Sequence, residues 1–86
     1  MKSFLLKISS PEGDLFCGDA VSLIVRGTEG ELAVMAGHIP FVSYVKPCNF
    51  KIELEDGSER RGHISGGVLT VAKEKVILLS GELNWE

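Results

Sequence analysis

The stretch Phe50-Lys51-Ile52-Glu53-Leu54-Glu55 alternates apolar and charged residues without a break, and Asp56-Gly57 follows at once. A period of two sends three apolar side chains to one face of an extended strand and three charges to the other. Asp-Gly then supplies the positive φ angles that a tight hairpin turn demands. The pattern predicts a half-buried antiparallel hairpin. Its return strand carries Arg60, Arg61 and His63, where a basic residue can face Glu53 or Glu55 across the ladder.

The same period recurs along the chain. Phe4, Leu6 and Ile8 share a face, and Val21, Leu23 and Val25 alternate with Ser22, Ile24 and Arg26. Val68-Leu69-Thr70-Val71 and Val76-Ile77-Leu78-Leu79 read as a second hairpin over the polar tip Ala72-Lys73-Glu74-Lys75. Pro11-Glu12-Gly13-Asp14 and Gly27-Thr28-Glu29-Gly30 mark turns, and Pro40 and Pro47 demote their neighbours to edge or loop. Turn signals at this rhythm belong to an all-β sandwich or barrel. No apolar stripe of helical spacing lasts beyond two turns, so no helix is expected.

Composition bounds the function. The chain has 86 residues, enough for one domain, residues 1–86. Twelve acids against nine bases give a net charge of −3, which lacks the basic field that phosphate backbones require. Its apolar runs are far shorter than the ~20 residues of a membrane-spanning helix. Lys7 interrupts the apolar N-terminus before it could form a signal-peptide core. These features point to a cytoplasmic protein that inserts into no lipid and binds no nucleic acid. Two cysteines, Cys17 and Cys48, are read as reduced thiols in or near the core rather than a disulfide.

Chemistry-bearing motifs are few. Cys17, Cys48, His38 and His63 lack the clustered spacing of a zinc site, so no metal is expected. A cysteine nucleophile needs a cationic or helix-terminal environment, whereas Asp14 and Asp19 flank Cys17. Ser65-Gly66-Gly67 precedes a strand and is read as a bend, because a phosphate loop must open a helix. Lys75, at a hairpin tip after Glu74, suggests the presented lysine of a biotinyl or lipoyl carrier domain, but its flanking residues do not fit that role. No catalytic residue and no cofactor are assigned. The informative stretch is residues 27–40, where glycines, the acids Glu29 and Glu31, an apolar run and a His-x-Pro occur together. Such a loop normally lies against something.

The ordered set Pro11-Glu12-Gly13, Phe16, Gly18, Gly30-Glu31, Gly37-His38-Ile39-Pro40, Lys46-Pro47, Asp56-Gly57 and Ser65-Gly66-Gly67 resembles the epsilon subunit of F-type ATP synthases. The resemblance covers nearly all of residues 11–81. It implies the subunit's N-terminal domain, a flattened ten-stranded antiparallel β-sandwich of two five-stranded sheets. It also implies a non-catalytic central-stalk role, in which the domain joins the gamma subunit to the ring of c subunits and couples ion translocation to ATP synthesis. The implied place is the cytoplasmic face of a bacterial plasma membrane, held there through the complex.

By the same resemblance, Glu29, Glu31, Leu32 and His38 face the c-ring. Gly37, His38, Pro40, Phe41, Val42 and Ser43 face gamma. Members of the family usually continue into a helical hairpin that restrains ATP hydrolysis and in some bacteria binds ATP. These 86 residues show no counterpart, so neither that hairpin nor ATP binding is expected, and the isolated domain is expected to be a monomer. Four positions depart from the family pattern: Ala33 and Cys48 stand where glycine is usual, and Met35-Ala36 replaces a commoner Leu-Pro type pair. An apolar patch of Leu32, Val34, Met35 and Phe41 is expected to stay partly exposed for a partner to cover.

Overall fold

One strand organises the molecule by belonging to both of its layers. The computed structural model describes residues 2–27, 30–37 and 39–86. It contains β1 (Phe4–Ser10), β2 (Gly13–Gly27), β3 (Gly30–Met35), β4 (Phe41–Val45), β5 (Cys48–Leu54), β6 (Glu59–Ile64), β7 (Gly67–Val71), β8 (Lys75–Ser80) and β9 (Leu83–Trp85). No helix occurs among the described residues.

The 15 residues of β2 would run roughly 45–50 Å if straight. The molecule's longest extent is 30 Å, so the strand has to bend. It does so where its register against β5 slips, between Ala20 and Ser22. Inward positions fall on Phe16, Gly18 and Ala20 before the slip and on Leu23 and Val25 after it. Residues 20–23 are buried in succession as the strand crosses between layers. A bulge produces this outcome by adding one residue and increasing the local twist.

Counting β2 in both layers gives five strands on each side. One layer runs β2–β1–β8–β7–β4 and the other runs β3–β2–β5–β6–β9. The expected ten strands are therefore nine continuous ones among the described residues, because the chain bends at the layer crossing without a break. The layers touch again through the single pair Gly27 and Val45. Every ladder is antiparallel except β1 with β8, which are parallel. No hairpin joins those two strands, so no turn fixes their relative direction.

The inner faces meet in one core. Phe4, Leu6, Ile8, Leu69, Val71, Val76 and Leu78 come from the first layer, and Leu23, Val25, Val34, Phe50, Ile52 and Ile64 from the second. Burying a side chain of this kind contributes about 1.5–3 kcal/mol, which is how a small domain offsets its ordering entropy.

Both expected hairpins form. In the first, Gly57 adopts φ +88° and its N–H donates to the Leu54 carbonyl at 3.0 Å. Asp56 accepts from the Ser58 N–H at 2.8 Å, closing the turn. The register differs from the charge pairing expected: Glu53 stands opposite Glu59, and Lys51 opposite Arg61. The ion pairs form around Glu59 instead, with Arg61 at 2.9 Å and Lys51 at 3.8 Å. In the second hairpin the Ala72 N–H bonds the Lys75 carbonyl at 2.8 Å.

Ser65-Gly66-Gly67 is the bend expected of it. Gly66 has φ +98°, and a Cβ there would lie 2.8 Å from the Val45 carbonyl oxygen. The buried Ser80 hydroxyl donates to the Gly66 carbonyl at 2.8 Å and fixes the bend.

Candidate interaction surface

The two outer faces differ in chemistry, and the difference comes from strand alternation. On β4, Val45 turns inward while Val42 and Tyr44 turn outward, 68% and 73% exposed. Register carries the stripe across the sheet. Tyr44 pairs with Val68 and Val68 with Leu79, while Val42 pairs with Thr70 and Thr70 with Ile77. Leu79 is 50% exposed. Beyond β8 the rows reach Lys7 and Ser9 on β1, and Lys75 stands beside Leu5. The result is a largely apolar field over β4, β7 and β8, with the Thr70 hydroxyl group within it and Lys7, Ser9 and Lys75 at its margin.

The outer face of the other layer carries Lys51 and Glu53 from β5, and Glu59, Arg61 and His63 from β6. Lys51 and Arg61 both pair with Glu59, and His63 shares a 3.1 Å hydrogen bond with Asn49. Water satisfies such a face. Solvated apolar sheet surface like that of β4–β7–β8 is instead the usual mark of a protein contact.

The residues implied by family resemblance distribute unevenly around this field. Val42 lies within it. Phe41 and Leu32 are half-buried and pack against the core. Ser43 is half-buried, its hydroxyl donating to the Tyr44 carbonyl at 3.2 Å. Gly37 and Pro40 are exposed in the β3–β4 connection, Gly37 with φ +87°. Glu31 is exposed on β3, across the ladder from Arg26. Glu29 and His38 lie outside the described residues.

The apolar patch expected at Leu32, Val34, Met35 and Phe41 is partly exposed, with Val34 the exception. Val34 is fully buried, and of the four only Met35, at 55%, is well exposed. A period-two strand on a core must turn Val34 inward opposite Leu23. Sequence reasoning missed Tyr44, Leu79 and Ile39. Ile39 is 82% exposed, and its place beside Pro40 in a connection was the available signal.

The candidate chemical groups stay apart. Among the described residues no three His, Cys, Asp or Glu side chains are grouped to hold a metal ion. Both thiols are free: Cys48 is half-buried, but Cys17 is exposed on the outward face of β2, not in the core. Lys75 opens β8, its carbonyl closing the hairpin, so Lys73 and Glu74 form the tip.

A two-layer β-sandwich that exposes one largely apolar outer face has the form of a protein-binding module. Over residues 3–86 the sequence matches the family described as the ATP synthase Delta/Epsilon chain beta-sandwich domain, and the chain belongs to that family. It is 34% identical over 84 residues to the ATP synthase epsilon chain of Clostridium novyi, covering 98% of this chain and 64% of that one. It is also 34% identical over 80 residues to the epsilon chain of a Psychrobacter strain, covering 93% of this chain and 58% of the relative. The chain thus spans about three-fifths of these relatives' length. Among solved structures, a chain of the Euglena gracilis mitochondrial ATP synthase (OSCP/F1/c-ring) superposes with a TM-score of 0.91 at 25% identity. That match covers 96% of this chain and 53% of the other. A chain of the Tetrahymena thermophila mitochondrial ATP synthase central stalk and c-ring shares the fold, with a TM-score of 0.76 at 13% identity over 95% of this chain and 66% of that one.

Proposed function

We propose that this domain works as a non-catalytic rotor element of an F-type ATP synthase, joining the gamma subunit to the c-ring so that ion flow drives ATP synthesis. The observation that carries the reading is the apolar outer face of β4–β7–β8, with Val42 and Tyr44 at its edge. Supporting it are the family membership and the naming of relatives as epsilon chains. A coupling element must pass force without slipping. Two rigid sheets with a dry contact face suit that task better than mobile loops do.

In this reading gamma covers the apolar face and the neighbouring residues Gly37, His38, Pro40, Phe41, Val42 and Ser43. The polar loops of the c-ring meet Glu29, Glu31, Leu32 and His38. Rim carboxylates of this kind orient an encounter more than they add affinity. The domain is peripheral, at the cytoplasmic face of a bacterial plasma membrane, a monomer when isolated, and does not bind ATP.

The test is reconstitution with a gamma–c-ring assembly lacking its own epsilon chain. The wild-type chain is expected to bind and restore ion-driven ATP synthesis. Val42→Asp, at an exposed position the fold tolerates, is expected to weaken binding by about 2 kcal/mol. Failure of the wild-type chain to associate overturns the proposal, as does an unimpaired Val42→Asp. A thermal shift with millimolar ATP checks the nucleotide statement, and saturable stabilisation would contradict it.

A further inference from the structure

β9 is the shortest of the described strands. It has three residues and pairs with β6 alone, as the six-residue β3 pairs with β2 alone, whereas β8 lies between β1 and β7. Leu83 is half-buried, and Asn84 and Trp85 are exposed. Its anchor is the ring of Trp85, the chain's one tryptophan. That ring stands edge-on to Phe50 at 5.4 Å and tilted against Phe16 at 6.0 Å. The Arg60 guanidinium covers it, 4.3 Å from the ring centroid.

These partners come from both layers: Phe50 and Arg60 from one, Phe16 from the other. Trp85 thus bridges the side of the sandwich where the first half of β2 and β9 are both edge strands. Gly62, opposite Trp85 in the ladder, makes the seat possible. A Cβ there would lie 2.6 Å from the Asn84 carbonyl oxygen and 2.9 Å from the Phe50 ring. Two backbone bonds complete the attachment, Ser65 N–H to the Glu82 carbonyl at 3.1 Å and Glu86 N–H to the Arg61 carbonyl at 2.9 Å.

We propose that residues 82–86 form a strap that detaches and re-seats as a unit while the rest of the sandwich stays folded. Trp85 is its latch, and Arg60 is the cover that sets how often the latch opens. Short edge segments with few buried contacts open at lower free energy than core strands. Here the Trp85 ring, the half-buried Leu83 and the short ladder to β6 lie within one five-residue segment, so they release together and opening has two states. Detachment bares the backbone edge of β6 and the cleft between Phe16 and Phe50.

Amide hydrogen exchange reads the opening directly, because the Ser65 and Glu86 N–H groups bond across the strap. Both are expected to exchange faster than amides of the β7–β8 ladder, and with a weaker dependence on urea, since little surface is exposed. Arg60→Ala removes the cover without touching the core. It is expected to raise exchange at Ser65 and Glu86 roughly two- to fivefold, the population change that loss of an exposed cation–π contact produces. Amides between β7 and β8 are expected to stay unchanged, and acrylamide quenching of Trp85 to rise in step. Exchange of the strap amides at the β7–β8 rate with the same urea dependence would overturn the proposal. So would an Arg60→Ala variant that moves both sets of amides together.

Discussion

The thiol of Cys48 accepts a hydrogen bond from the backbone N–H of Arg26 at 3.4 Å. Pairing between β2 and β5 ends at Ile24 and Lys51, so this N–H lies beyond the ladder, and the Arg26 carbonyl is taken by the Lys46 N–H at 3.0 Å. Cys48, at a position where the family resemblance implies glycine, therefore has a structural task. No non-glycine described residue has a positive φ, so neither Cys48 nor Ala33 is strained by the replacement.

Cys48→Ala leaves the Arg26 N–H without its acceptor and is expected to cost about 1 kcal/mol. Cys48→Ser restores an acceptor and is expected to recover part of that loss. Urea denaturation midpoints at constant slope make the comparison.

Gly67 faces a harder constraint. A Cβ on it would overlap the Leu79 carbonyl oxygen across the β7–β8 ladder. Gly67→Ala is expected to force the strands apart and destabilise by about 3 kcal/mol, as core overpacking does. Gly13→Ala, where nothing lies within 4 Å, meets only the strain of φ +136° and is expected to cost less. Thermal melts of the two variants side by side test the ranking.

Two exposed carboxylates make stability depend on acid. The Ser58 hydroxyl, followed by its N–H, holds the Asp56 carboxyl below the ordinary carboxylate range. The Arg61 hydrogen bond, then the Lys51 charge, does the same for Glu59. A depressed folded-state pKa means stability that is present above the unfolded value and lost as pH falls through the folded one. The melting temperature is expected to decline from about pH 5 downward. Asp56→Asn, which keeps the acceptor oxygen but cannot titrate, is expected to flatten that decline, and added salt to reduce the Glu59 share. A decline as steep in Asp56→Asn as in the wild type would remove Asp56 from the account.

The apolar field and the acidic rim separate kinetically under the proposed rotor role. Tyr44→Ala removes an aromatic anchor and is expected to speed dissociation from a gamma–c-ring assembly, by about 2 kcal/mol in affinity. Glu31→Lys is expected to slow association chiefly at low salt. Binding kinetics at two ionic strengths distinguish them. A Glu31→Lys effect that is equal at both strengths would contradict the rim assignment.

The hairpin over residues 50–64 was legible because alternation and Asp-Gly specify the same structure locally. The Ser65-Gly66-Gly67 bend was legible because a strand, not a helix, follows it. The continuity of β2 was not: alternation is plain only around Val21, Leu23 and Val25, and only the packing of two layers shows that one strand starts at Gly13 and bends through the Ala20–Ser22 slip. The parallel β1–β8 pairing is likewise set by the whole sheet, with no local residue to announce it. Charge pairing failed because Glu53 and Glu59 can tolerate each other when Lys51 and Arg61 lie diagonal to them. The exposure of the expected apolar patch was only partly legible because burial depends on register. Val34 and Val42 look alike in sequence, yet one faces Leu23 in the core and the other faces water.

The passage of β2 through both layers has a mechanical consequence. Sheets that touch only through side chains can shear past each other, since dispersion contacts have no preferred direction. Here the backbone itself runs from the edge beside β1 in one layer to a place between β3 and β5 in the other. A twist applied to either sheet is therefore carried into the other along peptide bonds.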